Sequence, residues 1–210
     1  MDIHPPLGPV HTVKDFFVHL SMIVIGILIA VSLEQFVEWR HHAKLVAEAR
    51  ENITNELRDN AKELDGTMST YPATEKELVE YFATIRKLRT HKPFTELSVR
   101  LSFHLSQLSS SSRNSAEATG ALGYMKYDEV KRYATVYDLQ QQFLRIQERL
   151  LEATTLAVGG LQGDDPTKAS DAELDALNAS AKAARAQLSV ANSIGQALKK
   201  EYAKALKPER

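Results

Sequence analysis

The sequence predicts an all-α protein: an N-terminal transmembrane helix that continues into a long stalk helix and packs with an antiparallel helical bundle. Three observations predict it. Phe16 to Leu33 carries no charge. No glycine or proline interrupts the chain between Ala30 and Gly66. The second half repeats apolar and small residues at steps of three and four.

The uncharged run contains Met22-Ile-Val-Ile-Gly-Ile-Leu-Ile-Ala30. At a rise of about 1.5 Å per residue it covers roughly 27 Å, close to the hydrocarbon thickness of a bilayer. Trp39 and Arg40 suit the headgroup boundary. The expected domains are a tail over 1–14, the span over 15–38 and a helical soluble domain over 39–207. Two other readings compete with the anchor. Ala30-Val31-Ser32 resembles a signal-peptide cleavage site, but only Lys14 precedes the apolar run and the helical pattern continues past Ser32. The other is the buried helix of a soluble protein. Arg40, Lys44 and Arg50 outnumber Lys14 and the α-amine, which leans weakly towards a cytoplasmic C-terminal domain. Gly26 and Ala30 form a small-xxx-small pair that lets two membrane helices approach; simple membrane composition explains them equally well. His19 and Glu34, near the two ends of the span, suit snorkelling towards water.

Beyond the span, helices are expected at about 39–64, 74–90, 112–119, 128–158 and 171–206. Trp39, Val46, Ala49, Ile53, Leu57 and Leu64 give the first a stripe, which Asn60 interrupts and Gly66 ends. Thr74 and Glu77 form a capping box for the second. The segment 97–105 alternates: Leu97, Val99, Leu101, Phe103 and Leu105 are apolar, and the residues between are polar. Period two predicts one short strand, against a competing helical stripe through Leu97, Leu101, Leu105 and Leu108. A lone strand needs a partner, for which 121–125 or a second copy are the candidates. The serine run 109–112 leads to a helix N-cap, and the helix it starts stops at Gly120.

Asp128 opens a long helix whose apolar residues cover a wide arc (Val130, Tyr133, Tyr137, Phe143, Leu144, Leu150, Leu151). A glycine-rich hairpin loop follows at 159–166. Ser170 and Glu173 form a second capping box. Leu174, Leu177, Ala181, Ala184, Leu188, Ala191, Gly195 and Leu198 then make a heptad seam, extended by Tyr202 and Ala205. Its expected partner is the long helix before it, antiparallel across the loop.

The net charge of −1 argues against nucleic acid as a partner. Absence of cysteine excludes disulfides, thiol catalysis and cysteine-based zinc. The histidines lack the i, i+4 spacing of a helical zinc site, and adjacent His41 and His42 point about 100° apart. Glycines 159, 160 and 163 follow no strand and precede no Gly-Lys-Ser/Thr. Asp164 and Asp165 lack the rest of a calcium loop. No serine lies in Gly-x-Ser-x-Gly. Glu48, Glu51 and Glu56 are expected as solvated charges on the stalk's polar face. Tyr124, Tyr127, Tyr133 and Tyr137 are expected to pack with hydroxyls at a polar edge rather than to stack on a ligand. No catalytic residue, cofactor or metal ligand is therefore expected.

Gly26-Ile-Leu-Ile-Ala30, then Leu33-Glu34-Gln35 and Glu38-Trp39, resemble the anchor of a group of small uncharacterised bacterial single-pass membrane proteins. Thr119-Gly-Ala-Leu122, Met125, Tyr127-Asp-Glu-Val130, Tyr133-Ala134 and Tyr137 resemble a second patch of that group. The resemblance implies a bacterial inner-membrane location, with the large domain outside the cytoplasmic membrane after a basic tail. Here the tail has almost no Lys or Arg. The resemblance implies no activity. The expected function is a non-enzymatic, membrane-anchored assembly or scaffold protein, partnered by the lipid bilayer and by a second copy or another membrane protein. The alternative is a ligand-sensing or accessory subunit of a larger membrane complex.

Overall fold

The computed structural model describes residues 13–90, 101–159 and 166–207. The fold is all-α, and no strand occurs among the described residues. Four α-helices follow in order among the described residues: α1 (Val13–Arg89), α2 (Ser111–Ala118), α3 (Tyr127–Gly159) and α4 (Asp171–Ala205). The chain divides into two units, Met1–Glu48 and Ala49–Arg210, and α1 contributes to both.

In the first unit, α1 is long and apolar enough to cross a membrane, and none of its most apolar window is buried. The other described helices of the chain do not cover this stretch. Trp39, at the head of the predicted apolar stripe, is 64% exposed.

The second unit is a three-helix bundle. The sequence reading breaks α1 at Gly66 and restarts it at Thr74; the helix instead runs through both Gly66 and Pro72. Pro72 removes one i→i−4 hydrogen bond. The packed seam outweighs that loss, because it never breaks: Ile53, Leu57, Asn60, Leu64, Thr67, Tyr71, Thr74, Leu78, Tyr81, Ile85 and Leu88 are all buried, at alternating steps of four and three. Three polar members at intervals of seven disguise this heptad in the sequence. Thr74 is thus a core residue and not a cap.

Helix α3 repeats the pattern through Glu129, Tyr133, Val136, Gln140, Phe143, Gln147, Leu150, Thr154 and Ala157. Its buried arc is narrower than expected, and Leu151 is 40% exposed. Helix α4 buries every predicted seam residue from Leu174 to Tyr202. The Ser170–Glu173 capping box starts it as expected. Helices α3 and α4 pack together, with antiparallel pairings such as Gln140 with Tyr202.

Helix α1 runs antiparallel to α4: Asp65, Glu75 and Arg89 pair with Lys199, Arg185 and Asp175 respectively. It runs parallel to α3, since Arg50, Asn60 and Tyr81 meet Glu129, Gln140 and Ala157. Two parallel helices require the chain to return along their length between them. Residues 101–110 make part of that return without regular secondary structure. The predicted strand is therefore corrected over 101–105, while 97–100 lie outside the described residues, as does the loop over 160–165. The other proposed strand partner is a 3₁₀ turn, Ala121–Tyr124, reached after Gly120 closes α2 with φ +75°.

Candidate functional site

The return segment is held by a polar ladder, the main concentration of buried polar side chains in the described residues. Its rungs come from α1 at Asn60, Thr67 and Thr74, and from α3 at Gln140 and Gln147. At the first rung Asn60 Oδ1 accepts from Ser109 N (2.9 Å), and Asn60 Nδ2 donates to Ser109 O (2.7 Å). Gln140 Nε2 donates to the same carbonyl, at 2.9 Å. Gln140 Oε1 accepts from Asn60 Nδ2 and from the Tyr202 hydroxyl, so α1, α3, α4 and the return segment share one network.

At the second rung, Gln147 accepts from Ser106 N (2.9 Å) and donates to Ser106 O (3.4 Å), while Ser106 Oγ donates to Thr67 Oγ1. At the third, Thr74 Oγ1 donates to Ser102 O, and Glu77 accepts from both Ser102 N and Oγ. The spacing is commensurate. Seven helical residues rise about 10.5 Å, and three or four extended residues cover about 10–13 Å. A helical return would cover less than half that distance per residue. The backbone polar groups that a sheet would pair are paired here by side-chain amides and hydroxyls.

Beside the ladder, Glu56 is half-buried rather than a solvated charge. It accepts from Tyr137 Oη (2.6 Å), Ser109 Oγ (2.8 Å) and Ser112 N (2.8 Å). Burial opposes its ionisation, but the backbone bond from Ser112 and the hydroxyls of Tyr137 and Ser109 hold its carboxyl below the ordinary range. Ser110 makes no side-chain cap; Glu56, from another helix, accepts the α2 N–H instead. Burial foremost, then the Glu56 carboxylate, raises the Tyr137 hydroxyl pKa and keeps it a donor. Glu129, 4% exposed, forms a two-point ion pair with Arg50 and accepts from Tyr133.

Tyr133 and Tyr137 thus turn hydroxyls to carboxylates from within the bundle, while Tyr124 and Tyr127 are exposed. A carboxylate held ionised by saturated hydrogen bonds serves as a structural acceptor; a general acid would need the opposite shift. No group of three metal-ligating side chains occurs among the described residues. His4, His11 and His91 lie outside them, His19 bonds the Asp15 carbonyl, and His104 meets Glu63.

Of the predicted packing residues, Leu174, Leu177, Ala181, Ala184, Leu188, Ala191, Gly195 and Leu198 line the core. Gly195 sits where a Cβ would come within 2.6 Å of Met68 Sδ and 3.3 Å of Phe143 Cε2. Gly26 has open space around it, Ala30 is exposed, and Trp39 contacts Phe36 at a centroid distance of 6.1 Å. Arg40 is exposed.

Among the described residues, open grooves run between α1 and α4. One, of about 680 Å³, is bordered by the Asp65–Lys199 and Glu75–Arg185 ion pairs and includes Tyr71. The Tyr71 hydroxyl is buried without a hydrogen-bond partner, and burial pushes its pKa up to about 12. Another, of about 650 Å³, is lined by Val79, Phe82, Arg86, Lys182, Arg185, Ala186 and Ser189.

The ladder was missed in the sequence because its residues were read singly: Asn60 as an interruption, Thr74 as a cap. The signal was there, as polar residues at intervals of seven on two helices, with serines at 102, 106 and 109. Comparison with known proteins finds no family model, no curated protein and no solved structure that matches this chain.

Proposed function

We propose that this chain is a non-enzymatic, membrane-anchored assembly or scaffold protein of the bacterial inner membrane. One observation carries the reading: α1 leaves Phe16, Met22, Ile23, Ile25, Ile27, Leu28, Ile29 and Leu33 each more than half exposed along one continuous helix. Each such side chain gains about 1.5–3 kcal/mol on leaving water, so an aqueous chain would strand a large apolar surface. Lipid removes that cost without a partner protein. The bundle supports a structural role, because Asn60, Thr67, Thr74, Gln140 and Gln147 spend their buried polar groups on holding the return segment.

The open space around Gly26 and the exposure of Ala30 support self-association through this small-residue pair. Mass photometry of the full chain in mild detergent tests it. A dimer or larger species that Gly26→Ile with Ala30→Ile reduces to monomer supports the reading; a monomer across concentrations defeats the self-association. Recovery of the intact chain in the supernatant after ultracentrifugation of detergent-free lysate defeats the anchor. The second reading, an accessory or ligand-sensing subunit of a larger membrane complex, is favoured by the grooves along α1 and α4.

A further inference from the structure

We propose that the groove floored by Val79, Phe82 and Ala186 docks an acidic amphipathic helix of a partner protein. The inference goes beyond self-assembly and does not depend on the anchor. Val79 stands 51% exposed, while Phe82 packs its inner side against the core cluster of Tyr81, Ile85, Leu88 and Leu177. Together they leave an apolar floor that the bundle's own helices do not cover.

The rim carries one sign of charge. Arg86 lies on the α1 wall, Lys182 and Arg185 lie on the α4 wall, and no carboxylate lines the groove. Arg185 is paired with Glu75 on the side of the neighbouring groove. Arg86 and Lys182 pair with no carboxylate among the described residues.

An apolar floor between two basic walls selects an occupant with an apolar stripe flanked by carboxylates, which is how a helix docks in a groove. A second copy seated symmetrically would bring these cations against their own equivalents, which like-charge repulsion opposes. The volume of about 650 Å³ accommodates several side chains. The groove is open along its length and shares Arg185 and Ser189 with the neighbouring one, so it suits an elongated segment better than an enclosed small molecule.

The test uses the full chain in phosphatidylcholine nanodiscs and fluorescence anisotropy of a labelled peptide. The probe is a helix of about 18 residues with leucine at i, i+3, i+4 and i+7 and glutamate on the flanks. A scrambled isomer and a lysine-for-glutamate version serve as controls. The acidic amphipathic peptide is expected to bind at least about tenfold more tightly than either control, and more weakly as salt rises. Arg86→Glu with Lys182→Glu, and separately Val79→Asp, should each weaken it about tenfold. These positions are exposed, and unchanged thermal melting establishes that the variants fold. Equal binding of the scrambled peptide, no binding, or indifference to the variants overturns the proposal. So does efficient disulfide formation between Val79→Cys copies, which would place a second copy in the groove.

Discussion

The Asn60 side chain grips Ser109 by both of its backbone groups, accepting from its N–H at 2.9 Å and donating to its carbonyl at 2.7 Å. A planar amide here pairs with an extended chain as a neighbouring strand would, and Gln147 does the same for Ser106. The return segment is therefore a one-stranded ladder built on helices.

Replacing Gln147 with leucine removes both bonds and leaves the Ser106 N–H and carbonyl without that partner in a buried place. The loss is expected to be about 2–4 kcal/mol, from two unsatisfied groups at about 1–2 kcal/mol each. Hydrogen exchange separates this from general destabilisation: the amides of Ser106 and Ser109 should lose protection well before those of α4. Uniform loss across the bundle would contradict the ladder as a local device.

Arg50 and Glu129 test the entrance to α3. Nε meets Oε1 at 2.6 Å and Nη2 meets Oε2 at 2.7 Å, with the Glu129 side chain only 5% exposed and that of Arg50 44% exposed. Arg50→Ala strands a buried carboxylate. About 1–3 kcal/mol of stability should disappear, less than for a fully buried pair because water reaches the arginine. Adding Glu129→Gln should recover part of it, read from denaturant midpoints of the single and double variants. No recovery would mean that arginine packing, and not charge, is what matters.

Gly195 marks the closest approach of α4 to Met68 and Phe143. Gly195→Ala meets the flexible end of Met68 and gains about 1 kcal/mol of helix propensity, so the net change should stay within about 1 kcal/mol. Gly195→Val has no such escape beside the Phe143 ring and should destabilise by about 2–3 kcal/mol. Thermal melting of the two variants distinguishes a size limit from a simple preference for glycine.

Acid should loosen the bundle through Glu56. Its folded pKa lies below the ordinary 4.5, so its contribution is present above that value and is lost as pH falls below 4.5 through the folded value. Denaturant titrations across the acid range should show this slope, and Glu56→Gln should flatten it. An unchanged slope would assign acid sensitivity to other carboxylates.

The helical class, the long apolar run of α1, the α4 seam and its capping box were all legible in the chain, because each depends on periodicity or on contacts within a few residues. Leu174 to Tyr202 could be placed by counting alone. The continuity of α1, the narrower face of α3 and the course of 101–110 were not. Gly66, Pro72 and the Thr74–Glu77 pair are local signals for a break, and only the seam buried against α3 and α4 overrides them. Likewise the alternation after Leu101 announces an extended chain without saying what satisfies its backbone. Those partners come from Asn60 and Gln140, 49 and 31 residues away from Ser109, and parallel packing of α1 with α3 brings them together. Local periodicity determines which segments are helices; which helices run side by side, and so which polar groups meet, is decided by burial between segments remote in the chain.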